Sequence, residues 1–327
     1  MKITTHGFWL TIFTLTISLL LPVRIDAHPG SGIVVDRQGN IYFVDTGAGL
    51  PAKGRRFGLP AQESSKGQAG PQAGVRKIDR NGKLTRLSGP AYHWMTIDVD
   101  SRLTNVTLPY FSSGGATVTR VGVDPTLLLA SDFPITVGLD GSLYYPWLRD
   151  SEQLQVFRLG TSGTTTVLTT LPANTESGPL RWLNGMVAAP DGSIYYTENR
   201  TVRRITPEGK LITVAGDVTV STCDSVPGVH AHLGPLLRGL DVDAQGIVYV
   251  AATGCGSVVK ITADGKFTNI LRTSSPWSPT GVAAFGNDLY VLEYLHTEGD
   301  NRREWLPRVR KLSADGSVST VAEIKKR

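Results

Sequence analysis

The chain has 327 residues, 40% hydrophobic and 19% charged, a globular composition that excludes a disordered or fibrous protein. Its 36 glycines and 19 prolines supply more turn chemistry than a helical bundle tolerates and point to many short strands. Lys and Arg total 33 against 28 acidic residues, a net charge of +5 with no long basic run, so nothing in the charge calls for nucleic acid.

The first element in chain order reads as an export signal over residues 1–27: Lys2, an apolar stretch from Phe8 to Leu21, then a polar segment ending at Ala27. The apolar stretch is short for a bilayer, and no later stretch approaches spanning length. The mature protein is therefore expected to start near His28 and to be secreted or periplasmic, with no membrane span after signal cleavage. In an oxidising compartment the two cysteines, Cys223 and Cys255, are expected to form one disulfide. Asn105-Val-Thr and Asn199-Arg-Thr match the glycosylation triplet, which matters only in a host that glycosylates.

From His28 onward the sequence repeats one unit: an apolar strand, a turn with Gly, a strand centred on Tyr, a strand like Val-Arg-Lys-Ile, a Gly-Lys hairpin and a fourth strand. Four copies are clear. They run Gly32 to Asp45 with Val75-Arg-Lys-Ile, Gly185 to Glu198 with Val202-Arg-Arg-Ile, Gly239 to Ala252 with Val258-Val-Lys-Ile, and Gly281 to Glu293 with Val309-Arg-Lys-Leu. Two worn copies run Thr96 to Leu108 and Pro134 to Tyr145. No stretch sustains helical amphipathicity, and one such sheet cannot bury both of its faces alone. The expected fold is all-β, a six-bladed β-propeller of four-stranded antiparallel blades, forming a single domain over 28–327.

The Gly-Ile-x-Val-Asp, Asn-Ile-Tyr-x-x-Asp and Val-Arg-Lys-Ile series resembles NHL repeats, and Ala231 to Asp243 resembles that family's linker running into an inner strand. The likeness covers nearly all of 28–327. It implies a propeller and leaves function open, since such propellers include sensors, binding scaffolds, lyases and, among relatives, lactonases.

Ligands of propellers bind where the strand-two-to-three and inter-blade loops emerge. The residue before each repeat's first position is expected to point into that mouth, giving Ser31, Met95, Phe133, Asn184, Arg238 and Thr280; the bland alternative is a wet channel lining. The related senescence-marker-protein and gluconolactonase family holds a divalent cation there with Glu, Asn and Asp. Here Trp182-Leu-Asn-Gly-Met resembles the Asn segment, so Asn184 matches one ligand, but Ser31 stands where the Glu is expected and Arg238 where the Asp is expected. A guanidinium repels a hard cation, so a small polar or anionic ligand is expected at Ser31, Asn184, Arg238 and Thr280, with no metal and no cofactor.

His230-Ala-His232 has a spacing compatible with zinc or copper, with His296 or His93 as a third ligand, but His232 falls inside the linker pattern and reads as structural. Asp45, Glu198 and Glu293 end second strands and resemble a carboxylate cluster. Each copy also carries arginine on the third strand, Arg76, Arg203 and Arg308 or Arg310, so cross-strand ion pairs are expected. Two strand-two-to-three loops, with Arg55 and Arg56 in 46–74 and Arg302 and Arg303 in the last copy, are expected to meet on the mouth face and to contact a ligand or protein partner. The preferred reading is an exported, non-enzymatic binding module. The alternative is an exported, lactonase-like hydrolase or lyase with its site at the same mouth, and the sequence leaves the choice of enzyme or binder open.

Overall fold

The computed structural model describes residues 32–45, 74–87, 94–97, 103–107, 117–120, 135–149, 153–172, 183–218, 237–295 and 306–325, with backbone alone for 94–97, 103–107, 117–120 and 147–149. Each repeat builds its own antiparallel meander. Sheet one is β1 (Ile33–Val35), β2 (Ile41–Asp45), β3 (Gly74–Ile78) and β4 (Leu84–Arg86). Sheet two has three strands among the described residues, β5 (Trp94–Ile97), β6 (Leu103–Thr107) and β7 (Thr117–Arg120). Sheet three is β8 (Thr136–Val137), β9 (Leu143–Arg149), β10 (Gln153–Leu159) and β11 (Thr165–Thr170). Sheet four is β12 (Leu183–Ala188), β13 (Ile194–Glu198), β14 (Thr201–Ile205) and β15 (Leu211–Ala215). Sheet five is β16 (Leu240–Val242), β17 (Val248–Ala252), β18 (Ser257–Ile261) and β19 (Phe267–Arg272). Sheet six is β20 (Trp277–Phe285), β21 (Asp288–Leu295), β22 (Pro307–Leu312) and β23 (Val318–Glu323).

First strands of successive sheets touch in the order β5, β8, β12, β16, β20, β1, so the last sheet lies against the first. Burial follows that arrangement. First and second strands such as Ile33–Val35 and Ile41–Asp45 are buried throughout, because neighbouring sheets cover both of their faces, while the outer strand Thr165–Thr170 is largely exposed. This is why the inner strands read as continuous apolar runs rather than as alternating ones. Between sheets six and one, Ile33, Val35 and Phe43 pack on Ala283, Leu292 and Tyr294. Met186, Tyr196 and Ile205 of sheet four pack on Tyr144 and Val156 of sheet three.

Polar side chains tie the sheets together. The Thr136 hydroxyl accepts from the Ala188 amide (3.0 Å), and the Asp241 carboxylate from the Ala284 amide (2.6 Å). Thr197 Oγ1 accepts from Gly185 N–H (3.0 Å) and donates to the Arg238 carbonyl (2.7 Å). Thr253 donates to the Pro279 carbonyl (2.7 Å), and Tyr294 donates to the Val44 carbonyl (2.7 Å), locking sheet six to sheet one. Gly185 shows why the repeat begins on glycine: a Cβ there would lie 2.7 Å from the Arg238 carbonyl oxygen, inside any permitted contact.

Cys255 is buried in a 3-10 turn, Thr253–Cys255, and no free cysteine occurs among the described residues. Cys223 lies outside them, as do the segment 1–31, the loop 46–73, His93, Phe133, His230, His232 and His296. Among the described residues no helix is long and apolar enough to cross a membrane. Asn199 stands at the tip of the β13–β14 hairpin with φ 50, whereas Asn105 sits within β6, paired with Met95 and Thr119.

Candidate ligand-binding face

The starts of first strands, the ends of second strands and the starts of third strands share one face of the sheets. On it the chain brings three predicted residues side by side. Asn184 in β12, Arg238 just before β16 and Thr280 in β20 belong to successive sheets, and hydrogen bonds link their surroundings: the Thr197 hydroxyl accepts from Gly185 N–H and donates to the Arg238 carbonyl, and the Gly239 amide donates to the Thr280 carbonyl (3.0 Å). Asn184 is buried and its Nδ2 donates to the Leu237 carbonyl (3.0 Å). The Thr280 hydroxyl reaches the Leu292 carbonyl (3.4 Å), and Arg238 is half-buried. Ser31, Arg55, Arg56, Arg302 and Arg303 lie outside the described residues. Asn184 thus turns its amide nitrogen to a main-chain carbonyl of the next sheet's entry. Among the described residues no three His, Cys, Asp or Glu side chains cluster as metal ligands do.

The three second-strand carboxylates are buried, and each is held by arginine. Asp45 accepts from Arg76 Nε (2.8 Å) and Nη2 (2.7 Å). Glu198 accepts from Arg203 Nε (3.2 Å), whose Nη1 also donates to the Thr213 hydroxyl (2.8 Å). Both expected partners engage Glu293: Arg308 Nε donates to Oε2, while Arg310 donates to Oε1 through Nε (3.0 Å) and Nη2. A buried carboxylate without such partners would carry a desolvation cost of several kcal/mol, so the pairing follows from the burial. Trp277, absent from the sequence-based candidates, stacks on Arg308 with the guanidinium carbon 4.0 Å from a ring centroid.

The opposite face carries the strand-one-to-two turns. There Asp36 accepts from the Asn40 amide (2.8 Å) and the Tyr42 hydroxyl (3.0 Å), and Asp243 from the Ile247 amide (2.9 Å) and the Tyr249 hydroxyl (3.1 Å). Burial, then the Asp243 charge and its hydrogen bond, push the Tyr249 phenol up to about 12. Sheets three and four use a different turn: Arg158 Nη2 donates to Asp140 (2.6 Å) as Arg204 Nη2 does to Asp191 (2.7 Å), each with a serine hydroxyl on Nε. Burial works against the Asp140 charge, but the Ser142 amide and Arg158 outweigh it and hold its carboxyl below the usual range. A cleft of about 270 Å3 opens beside that pair, lined also by Ser142, Thr161, Ser162 and Thr164. Since sheet four repeats the same Asp-Ser-Arg arrangement, turn geometry accounts for it.

No family model matches the chain, and no curated protein matches it. Among solved structures it is similar to a streptogramin B lyase, with 16% identity over 93% of this chain and 85% of that one and a TM-score of 0.51. It is also similar to the virginiamycin B lyase of Staphylococcus aureus (16% identity, 92% and 85% covered, TM-score 0.48) and to a gluconolactonase of Xanthomonas campestris (15%, 82% and 83%, TM-score 0.47). At these identities the likeness is one of fold, and it agrees with the observed sheets: the chain is an all-β protein of β-propeller type, similar in fold to a streptogramin B lyase.

Proposed function

We propose that the chain is an exported six-bladed propeller that holds a small polar or anionic substrate at the face carrying Asn184, Arg238 and Thr280, and acts on it as a hydrolase or lyase. The adjacency of those three residues across sheets four, five and six is the observation that carries the site. Six sheets and the contact of β20 with β1 support the ring, and the leader-like residues 1–27 support export. A reaction, rather than binding alone, is supported by the streptogramin B lyase with which the fold is shared. The non-catalytic reading has its own support, since Asp45, Glu198 and Glu293 are committed to arginines and none stands ready as a general base. A protein partner on the same loops belongs to that second reading.

The test incubates the purified mature chain separately with a streptogramin B depsipeptide and with gluconolactone and follows ring opening by mass spectrometry. The expected result is conversion that falls at least tenfold in Arg238→Ala while the melting temperature is kept. If the wild type opens neither ring while a ligand raises its melting temperature, the enzymatic reading fails and the binding module stands.

A further inference from the structure

The repeats differ at one place on this face. The residue directly across from the second-strand carboxylate is Gly74 opposite Asp45, Thr201 opposite Glu198 and Arg308 opposite Glu293; sheet five pairs Ala252 with Ser257 at this place. The arginine that neutralises the carboxylate sits two residues further on, at Arg76, Arg203 and Arg310. Sheet six therefore carries the repeat's own arginine, Arg310, and a second one that no other described sheet has. Glu323 lies directly across from Arg308 on the fourth strand, so sheet six sets two guanidiniums beside one buried and one exposed carboxylate, while sheet one places Arg86 directly across from Arg76.

Arg308 is also fixed in place. Glu293 holds its Nε, and the Trp277 ring lies against its plane at 4.0 Å. Neither Nη atom of Arg308 has a hydrogen-bond partner among the described residues, and the side chain is 13% exposed, so it is reachable from solvent. A planar, oriented fork with two unused donors matches an oxyanion, which can accept from both Nη atoms at once. We infer that Arg308, oriented by Glu293 and Trp277, is a binding site for a carboxylate or phosphate group on the mouth face of sheet six. The inference rests on the proposal of an anionic substrate above and names the side chain that would hold its charged end.

Trp277 reports on the site directly. Wild-type protein is titrated with sodium phosphate and, separately, sodium acetate, at ionic strength held constant with sodium chloride, while tryptophan emission is read. A saturable change is expected with at least one anion, absent in Trp277→Phe. Saturation by phosphate alone assigns a phosphate group, by acetate alone a carboxylate, and by both a general oxyanion site. Arg308→Lys, which keeps the charge but loses the fork, is expected to weaken binding at least tenfold, and Arg308→Gln to abolish it. Arg203→Gln, on the corresponding neutral pair, should bind as wild type does. If Arg308→Gln does not fold, Arg308→Lys carries the test alone. No saturable change with either anion, or binding by the Arg308 variants within twofold of wild type, overturns the inference. Ring opening is read in a different assay, so anion binding can fail while turnover persists, or persist while turnover fails.

Discussion

Glu293→Gln tests whether the surplus arginine is held against its own charge. Glu293 is fully buried and serves two guanidiniums, of Arg308 and Arg310, that are 13% and 14% exposed. Removing its charge leaves two cations facing each other with one neutral acceptor between them, and breaking a buried pair in this way costs about 3–5 kcal/mol. A folded domain of this size unfolds with roughly 0.6 kcal/mol per kelvin of entropy, so the melting temperature should fall by about 5–8 °C. Glu198→Gln is the internal control. It leaves a single arginine, 29% exposed, which keeps its bond to the Thr213 hydroxyl, so the expected loss is about 1–2 kcal/mol, or about 2–3 °C. Calorimetric melts of both variants at low and high sodium chloride make the measurement. Salt should recover part of the Glu293→Gln loss by screening the two like charges, and adding Arg308→Gln to Glu293→Gln should recover more. If Glu293→Gln loses no more than Glu198→Gln, or the double variant is no more stable than Glu293→Gln, the picture of two guanidiniums balanced on one carboxylate is wrong.

Three further outcomes are expected. Gly209 has φ +84, and a Cβ there would meet the Leu168 carbonyl oxygen at 2.4 Å, while Gly246 has φ +76 and open space. Gly246→Ala should therefore cost about 1 kcal/mol of backbone strain and Gly209→Ala distinctly more, and equal losses in denaturant unfolding would refute the contact. The Tyr249 phenol titrates at about 12 in the fold against 10.0 unperturbed, so its protonated form is favoured by folding: its contribution is complete below pH 10 and is lost as pH rises through 12. Tyr249→Phe should flatten the fall in denaturant midpoint between those pH values, and an unchanged slope would count against the assignment. Cys223 and Cys255 should appear as one linked peptide in a non-reducing mass map of protein produced in an oxidising compartment, with reduction costing about 3–4 kcal/mol; two free thiols would remove the disulfide.

The sheets were readable in the sequence because the repeat records one strand pattern six times, and the ion pairs were readable because residues two apart on a strand share a face. That same parity is why the residues alone leave Arg308 and Arg310 as alternatives: both face Glu293, and only the fold shows both engaged. Thr197, Thr253 and Tyr294 escape a reading by strands, since each bonds to a backbone group of the next sheet, a distance that strand periodicity does not contain. Thr136 and Asp241 occupy one repeat position and do one job, accepting from an amide of the following sheet, yet Val34 and Val187 stand there in other copies. With two side-chain chemistries and two apolar exceptions, no sequence pattern marks the contact.

Repetition also bears on where function sits. A residue shared by several copies has a packing explanation in each of them, as Gly185 does against Arg238 and Arg76 does against Asp45, so its presence says little about a ligand. A residue confined to one copy must be explained locally. Arg238 stands where sheets four and six carry the neutral Asn184 and Thr280, and Arg308 replaces the glycine and threonine across from the other carboxylates. Both departures add positive charge, both lie on the face where strands one and three begin, and they fall on adjacent sheets. Arg308 is not the arginine the repeat uses for its carboxylate, because Arg310 stands at that place and already pairs with Glu293. Arginines confined to single copies, twice and on one face, are what the proposed anionic substrate would require of them.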